Sequence, residues 1–130
     1  MFDMKFNFFF ILLLITACFS TPKTKPKMNQ LKSNEWSEYL GKTPKSLILD
    51  VRTADEYESG YIKNAVNMDI YGGSDFIESI KKLKKNYSYF VYCRSGARSA
   101  QACQLMQQMG FEKVFNLDGG ILAWEGKIEN

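Results

Sequence analysis

The sequence contains no histidine among its 130 residues. That excludes a Cys–His catalytic pair and any histidine-based metal site. Cysteine is scarce too: the three, Cys18, Cys93 and Cys103, show no C-x-x-C spacing, so neither a zinc site nor any other metal or cofactor is expected. The net charge is only +3, and no basic stripe with interleaved aromatics occurs, which argues against nucleic acid as a partner. The apolar run from Phe8 to Ala17 is too short to span a bilayer as a stable helix. Nor does any pair of apolar runs carry a hairpin signal. With 45% hydrophobic residues, the chain can still build the core of one small domain with short attachments.

The Phe8–Ala17 run follows a short segment carrying Lys5 and has the length of a signal-peptide apolar region. It ends Ile15-Thr16-Ala17-Cys18, which resembles the bacterial lipobox. That resemblance implies cleavage before Cys18 and lipidation of Cys18, several acyl chains giving a lasting anchor. The plainer alternative is an ordinary signal peptide with an incidental cysteine. Ser20 to Asn29 holds two prolines and three lysines with almost nothing apolar, and reads as an extended, solvated tether. The expected organisation is a lipoprotein signal peptide over 1–17, a lipid-anchored tether over 18–29 and a domain over 30–130. The expected address is a bacterial cell envelope, attached to the membrane through the N-terminal lipid. Phe19 does not look like an inner-membrane retention signal, which favours the periplasmic side of the outer membrane.

Within the domain, Ser33 or Asn34 is expected to cap a helix with Trp36, Tyr39 and Leu40 on one face, stopped by Gly41. Leu47-Ile48-Leu49-Asp50-Val51 has the pattern of a buried parallel strand with a polar end. Thr53 to Glu58 can hold one or two helical turns, and the spacing of Arg52 and Glu56 suggests a surface i,i+4 ion pair. Ala65 to Met68 reads as a weak strand. Ser74 or Asp75 should cap a helix carrying Phe76, Ile77, Ile80 and Leu83, whose crowded C-terminal lysines read as a solvated face. Ala97 to Met109 has helical spacing and Gly110 stops it; Val114 to Leu117 is a strand, followed by Asp118-Gly119-Gly120 and a helical stretch through Trp124. Strands alternating with helices predict an α/β fold with a parallel sheet covered on both faces, its site at the carboxyl ends of the strands. Asp50, Cys93 and Asp118 all fall at such ends.

Tyr89-Phe90-Val91-Tyr92-Cys93 runs from a buried strand into a loop of small residues and then a helix. A cysteine at that junction faces loop N–H groups and the positive end of a helix dipole, both of which favour the thiolate. Cys93 is therefore the candidate nucleophile. Cys103 lies about ten residues further on, roughly 13–15 Å along the helix rise, too far for a disulfide, and reads as a buried small hydrophobe.

Cys93-Arg94-Ser95-Gly96-Ala97-Arg98-Ser99 resembles the active loop of rhodanese-type sulfurtransferases. Asp50-Val51-Arg52 with Glu56-Tyr57, Gly60-Tyr61-Ile62 and Ala65-Val66-Asn67 resembles that family's early motif, and Leu117-Asp118-Gly119-Gly120 with Trp124 its closing motif. The resemblance implies a rhodanese-like, five-stranded parallel sheet flanked by helices on both faces, with Cys93 carrying sulfane sulfur as a persulfide. Tyr61 stands where histidine is common and Asn64 where glycine is; Asn is the next-best residue for a left-handed backbone. Phosphatases and arsenate reductases of related fold use Cys-x5-Arg, whereas Arg98 here makes the loop Cys-x4-Arg, a tighter ring that suits sulfur.

With no histidine available, activation of Cys93 is assigned to the loop amides, the helix N-terminus and Arg94 and Arg98. The two arginines are also expected to bind an anionic donor such as thiosulfate. Asp50 is expected to accept hydrogen bonds from the loop or to pair with a nearby arginine, beside Arg52; Gly119 and Gly120 are expected to let the closing segment approach. The expected partners are a small-molecule sulfur donor and a thiol or cyanide acceptor, and the expected state is a monomer. The alternative function is a persulfide carrier without turnover, or an interaction module.

Overall fold

The computed structural model describes residues 29–130. The expected signal peptide and Cys18, with nearly all of the tether, lie outside the described residues. Asn29, read from sequence as the tether's last residue, already belongs to strand β1 (Asn29–Leu31). There follow α1 (Ser33–Lys42), β2 (Ser46–Asp50), α2 (Ala54–Glu58), β3 (Tyr61–Ile62), β4 (Ala65–Asn67), α3 (Ser74–Lys81) and β5 (Ser88–Tyr92). The domain finishes with α4 (Ala97–Gln108), β6 (Val114–Leu117) and β7 (Ile128–Glu129). Short 3-10 turns occupy Ile70–Gly72 and Gly120–Ala123.

Five strands form one sheet in the order β1-β6-β5-β2-β4, every neighbouring pair parallel. This is the expected α/β architecture, a five-stranded parallel sheet flanked by helices. β3 and β7 make a separate antiparallel pair that no local signal announced, because its strands are joined by most of the domain rather than by a turn.

Period-2 alternation divides the central strand between two cores. Tyr89, Val91 and Cys93 point to the side covered by α3 and α4, packing with Phe76, Ile80, Ala102, Cys103 and Met106. Phe90 and Tyr92 point to the other side, with Trp36 of α1, Ile62 and Phe115. Trp36 is fully buried, edge-on to Phe90 at 5.3 Å and to Trp124 at 5.4 Å, and its indole N–H donates to the Phe115 carbonyl at 3.3 Å. Cys93 thus leaves the sheet beneath α4, on the face opposite Tyr92.

Several local expectations give way to tertiary demands. The Ser33 hydroxyl caps nothing; it accepts the Glu125 N–H at 3.0 Å, while Glu35 accepts the Lys32 N–H at 3.2 Å and closes the helix start instead. Gly41 does not stop α1, which continues to Lys42. Gly73, at φ +59°, precedes α3 in place of a Ser74 or Asp75 cap. The closing helical stretch is a 3-10 turn ending at Ala123, with Trp124 extended behind it. Asn64 does adopt the left-handed backbone expected of it, at φ +67°.

Candidate functional site

The site is built at the carboxyl end of β5. Asp50 and Tyr92 are aligned in register on β2 and β5, and the next residue on β5 is Cys93. After it the chain must turn within four residues into α4, and Gly96 makes the turn with φ +104°. The loop closes around the sulfur: the Gly96 N–H donates to Cys93 Sγ at 3.1 Å and the Ser99 hydroxyl does so at 3.3 Å. Ser99 is itself fully buried, and its one hydroxyl proton is shared between this sulfur and the Gly96 carbonyl at 3.1 Å. Burial, the largest single influence, pushes the Cys93 thiol up. The Ser99 hydroxyl and the N–H groups of Ser99, Gly96 and Ser95 outweigh it, leaving the pKa below the ordinary cysteine value. The cradle is therefore tuned to a sulfur anion, with main-chain amides doing what an imidazole does elsewhere.

The second support is the closing segment. The Ile121 N–H donates to the Cys93 carbonyl at 2.9 Å and the Leu122 N–H to that of Arg94 at 3.2 Å. So close an approach is possible only because residue 120 lacks a side chain: a Cβ there would collide with the Arg94 carbonyl and lie 2.6 Å from that of Cys93. Gly119, at φ +77°, brings its N–H to the edge of Gly96. Asn116, buried in β6, donates from Nδ2 to the Gly96 carbonyl at 3.2 Å and fixes the loop from below. Nothing in the sequence reading singled out Asn116; a polar residue in the otherwise apolar Val114-Phe115-Asn116-Leu117 was the available signal.

Arg98 and Arg52 meet partners other than those expected. Arg94 is exposed at the loop's outer edge, as are Ser95 and Ala97, the latter opening α4. Arg98 is not open to an anionic donor. Both its terminal nitrogens donate to Glu56, at 2.7 and 2.9 Å, and its guanidinium lies 5.5 Å from the Tyr71 ring centre. The side-chain hydrogen bond from Arg98 lowers the Glu56 pKa to about 2. The expected Arg52–Glu56 surface pair does not exist, because Arg52 precedes α2 and never takes helical spacing with Glu56. Arg52 turns inward instead. Its Nη2 lies 2.7 Å from Asp50 Oδ2, with side-chain exposures of only 7% and 0%, and the same nitrogen donates to the Gly60 carbonyl at 2.7 Å.

Asp50 accordingly pairs with an arginine rather than with the Cys93 loop. Its Oδ2 also accepts the Tyr92 hydroxyl at 2.7 Å, and that hydroxyl accepts the Ile62 N–H at 3.1 Å. Burial and the neighbouring Asp50 carboxylate push the Tyr92 pKa up, keeping it a neutral donor. This network locks the residue immediately before the nucleophile. Asp118 faces solvent, its N–H taken by the Leu31 carbonyl at 2.8 Å. Cys103 is fully buried and unbridged, and burial raises its pKa to about 12, so it supplies no second nucleophile. Among the described residues, no cluster of three or more acidic or sulfur ligands could hold a metal, and no helix is long and apolar enough to cross a membrane.

Ser99 offers a direct test of the cradle. Ser99→Ala removes a hydrogen bond worth about 1–1.5 kcal/mol to the charged sulfur, so activity at neutral pH should fall roughly five- to tenfold. The sign follows from the thiolate: with a donor lost, the Cys93 pKa rises and the pH–rate profile moves to higher pH, recovering rate in alkali. Thiolate absorbance followed across pH in both proteins checks the shift directly. An unmoved titration would remove Ser99 from the machinery.

Comparison with known proteins agrees with this arrangement. The profile of the rhodanese-like domain matches residues 33–127. A protein of Allochromatium vinosum named sulfurtransferase is 37% identical over 98 residues, which cover 75% of this chain and 88% of that one. A tRNA uridine(34) hydroxylase of Chlamydia caviae is 33% identical over 112 residues, but the match spans only 34% of its length. Among solved structures, a rhodanese-like domain protein from Staphylococcus aureus superposes with a TM-score of 0.67 at 30% identity, covering 78% of this chain and 97% of that one. A match that runs from the first helix through the Cys93 loop to the closing segment leaves one assignment: the chain belongs to the rhodanese-like domain family, among the sulfurtransferases.

Proposed function

We propose that Cys93 accepts a sulfane sulfur from thiosulfate or a persulfide donor, holds it as a persulfide and passes it to a thiophilic acceptor. The observation that carries this reading is the sulfur of Cys93 lying inside a ring of N–H and O–H donors, with its pKa lowered and no imidazole within the chain. The thiolate attacks the outer sulfur of the donor; the donor's S–S bond breaks and the leaving group departs as sulfite or a thiolate. The transferred sulfur then carries the negative charge into the same amide cradle, which stabilises it as it stabilised the thiolate. An acceptor thiolate or cyanide attacks that terminal sulfur and returns Cys93 to its starting state.

The reading includes a bacterial envelope location, with Cys18 lipidated and the domain working as a monomer at the membrane surface. Intact-mass analysis after thiosulfate treatment tests the chemistry: one added sulfur atom, mapped to Cys93 and removed by cyanide, is the expected result. Absence of the adduct with either donor class would overturn it. A stable adduct that exchanges only with a protein partner, and never turns over with small acceptors, would favour the persulfide-carrier role instead. Mass analysis of the membrane fraction, showing a mature chain that begins with acylated Cys18, tests the location.

A further inference from the structure

We propose that Glu56 sets the class of donor this site accepts: by occupying Arg98 it favours thiol persulfides over the dianion thiosulfate. The inference rests on the reading of Cys93 as the sulfur-accepting residue.

Arg98 sits at the inner end of the loop, in the first turn of α4 and next to Ser99, whose hydroxyl reaches the Cys93 sulfur. Its attraction for anions is spent on Glu56, through two parallel N–H donors at 2.7 and 2.9 Å in a pair whose side chains are only 17% and 29% exposed. Glu56 is itself held in place, accepting the Thr53 hydroxyl at 3.2 Å as part of the α2 cap, so it cannot swing aside cheaply. The pair is electrically neutral, and the Glu56 carboxylate stays ionised across any working pH. A doubly charged donor approaching a Cys93 thiolate therefore meets like charge without an inner cation to offset it. Arg94 stands at the exposed edge, where salt and water screen it.

The rim adds apolar contact area beside the loop. Tyr71, 70% exposed, lies beside Arg98, and Leu122, 63% exposed, donates its N–H to the Arg94 carbonyl at 3.2 Å. Two of the large exposed apolar side chains thus flank the loop. They offer contact area to the carbon skeleton of a thiol; the Tyr71 ring supplies it alongside a phenolic hydroxyl, the Leu122 side chain without any polar group. A persulfide R–S–SH brings at most one charge, on the sulfur that the amide cradle is shaped to receive. The Cys93 thiolate attacks the outer sulfur, the donor's S–S bond breaks as the new one forms, and R–S⁻ leaves and takes a proton from solvent. Cys93–S–SH results; the transferred sulfur carries its oxidation state with it, so no outside oxidant or reductant is needed.

The test measures single-turnover loading of sulfur onto Cys93 in the full chain, by quenched intact mass, with cysteine persulfide and with thiosulfate. Each rate is divided by that donor's rate with a simple thiol in solution. Wild-type protein should favour the persulfide by about tenfold or more, and Glu56→Gln should shift the ratio toward thiosulfate by about tenfold, a difference of ~1.4 kcal/mol. Thiosulfate loading in the variant should also fall with rising salt more steeply than in wild type, as expected for a newly uncovered cation. A purely structural Glu56 would slow both donors together and leave the ratio unmoved, which overturns the proposal. Equal normalised rates in wild type overturn it as well, even if the variant does not fold. If neither donor loads sulfur, the reading of Cys93 itself has failed; if both load equally, only the donor preference has.

Discussion

Cys93→Ala is expected to lower sulfur transfer at least about a thousandfold while leaving the domain folded, because no other group in the described residues can take the nucleophile's place. Cys103 is the only other described thiol, and it is fully buried with a pKa near 12. The substitution removes one small side chain from the core beneath α4, a loss of the order of 1–2 kcal/mol, well within what a domain of this size tolerates. Cys93→Ser makes the sharper comparison. It keeps the size and the hydrogen bonds from Gly96 and Ser99 but offers a hydroxyl, which cannot form a persulfide and is not ionised at neutral pH. Activity measured with thiosulfate and cyanide, alongside intact mass, should show neither turnover nor adduct in both variants. Transfer persisting in Cys93→Ala and vanishing in Cys93→Ala/Cys103→Ala would move the chemistry to Cys103 within α4 and refute the site.

The largest stability effect is expected from Asp50→Asn. Asp50 is fully buried and accepts from the Arg52 main-chain N–H at 3.0 Å, from the Arg52 guanidinium at 2.7 to 3.1 Å, and from the Tyr92 hydroxyl at 2.7 Å. The amide is nearly isosteric, so the loss is electrostatic: the Arg52 charge stays buried without its counterion, and an NH₂ group faces donors. Removing one partner of a buried pair costs about 3–5 kcal/mol, against about 0–1 kcal/mol for an exposed pair. Glu78→Gln, which breaks the Glu78–Lys81 pair at 60% and 57% side-chain exposure, is the matched surface control. Urea unfolding of the two variants should separate them by at least about 2 kcal/mol. The effect should also reach catalysis, since Tyr92 is bonded directly to Cys93 in the chain and must share with Arg52 the single acceptor oxygen that the amide retains. A change below about 1 kcal/mol in Asp50→Asn would mean that Arg52 finds another partner or reaches water.

Much of this molecule is readable from local pattern. The apolar run before Cys93, the small residues after it and the helical spacing from Ala97 onward define a strand, a tight turn and a helix, and their junction singles out the nucleophile. Each of those signals is short-range: a strand's alternation, a turn's need for Gly96, a helix's repeat. The same kind of signal fails where a residue's partner lies far away along the chain. Arg98 and Glu56 are 42 residues apart, and from sequence Arg98 looks like a cation waiting for substrate. The Ser33 hydroxyl looks like a helix cap until Glu125 arrives beside it, 92 residues later. The edge strand at Asn29 looks like tether because its three residues have no apolar alternation of their own and owe their extended form to β6.

By itself the sequence determined that this chain makes an alternating α/β domain with one cysteine poised at the end of a buried strand, and that no histidine can assist it. Apolar periodicity and turn chemistry carry that information, since burial and backbone geometry are settled within a few residues. That Glu56 meets Arg98, and that Tyr92 shares Asp50 with Arg52, was decided only by the crossovers that set α2 beside the start of α4 and lay Asp50 next to Tyr92. Charge pairing depends on distance in space, and a parallel sheet brings together residues that the chain itself keeps far apart.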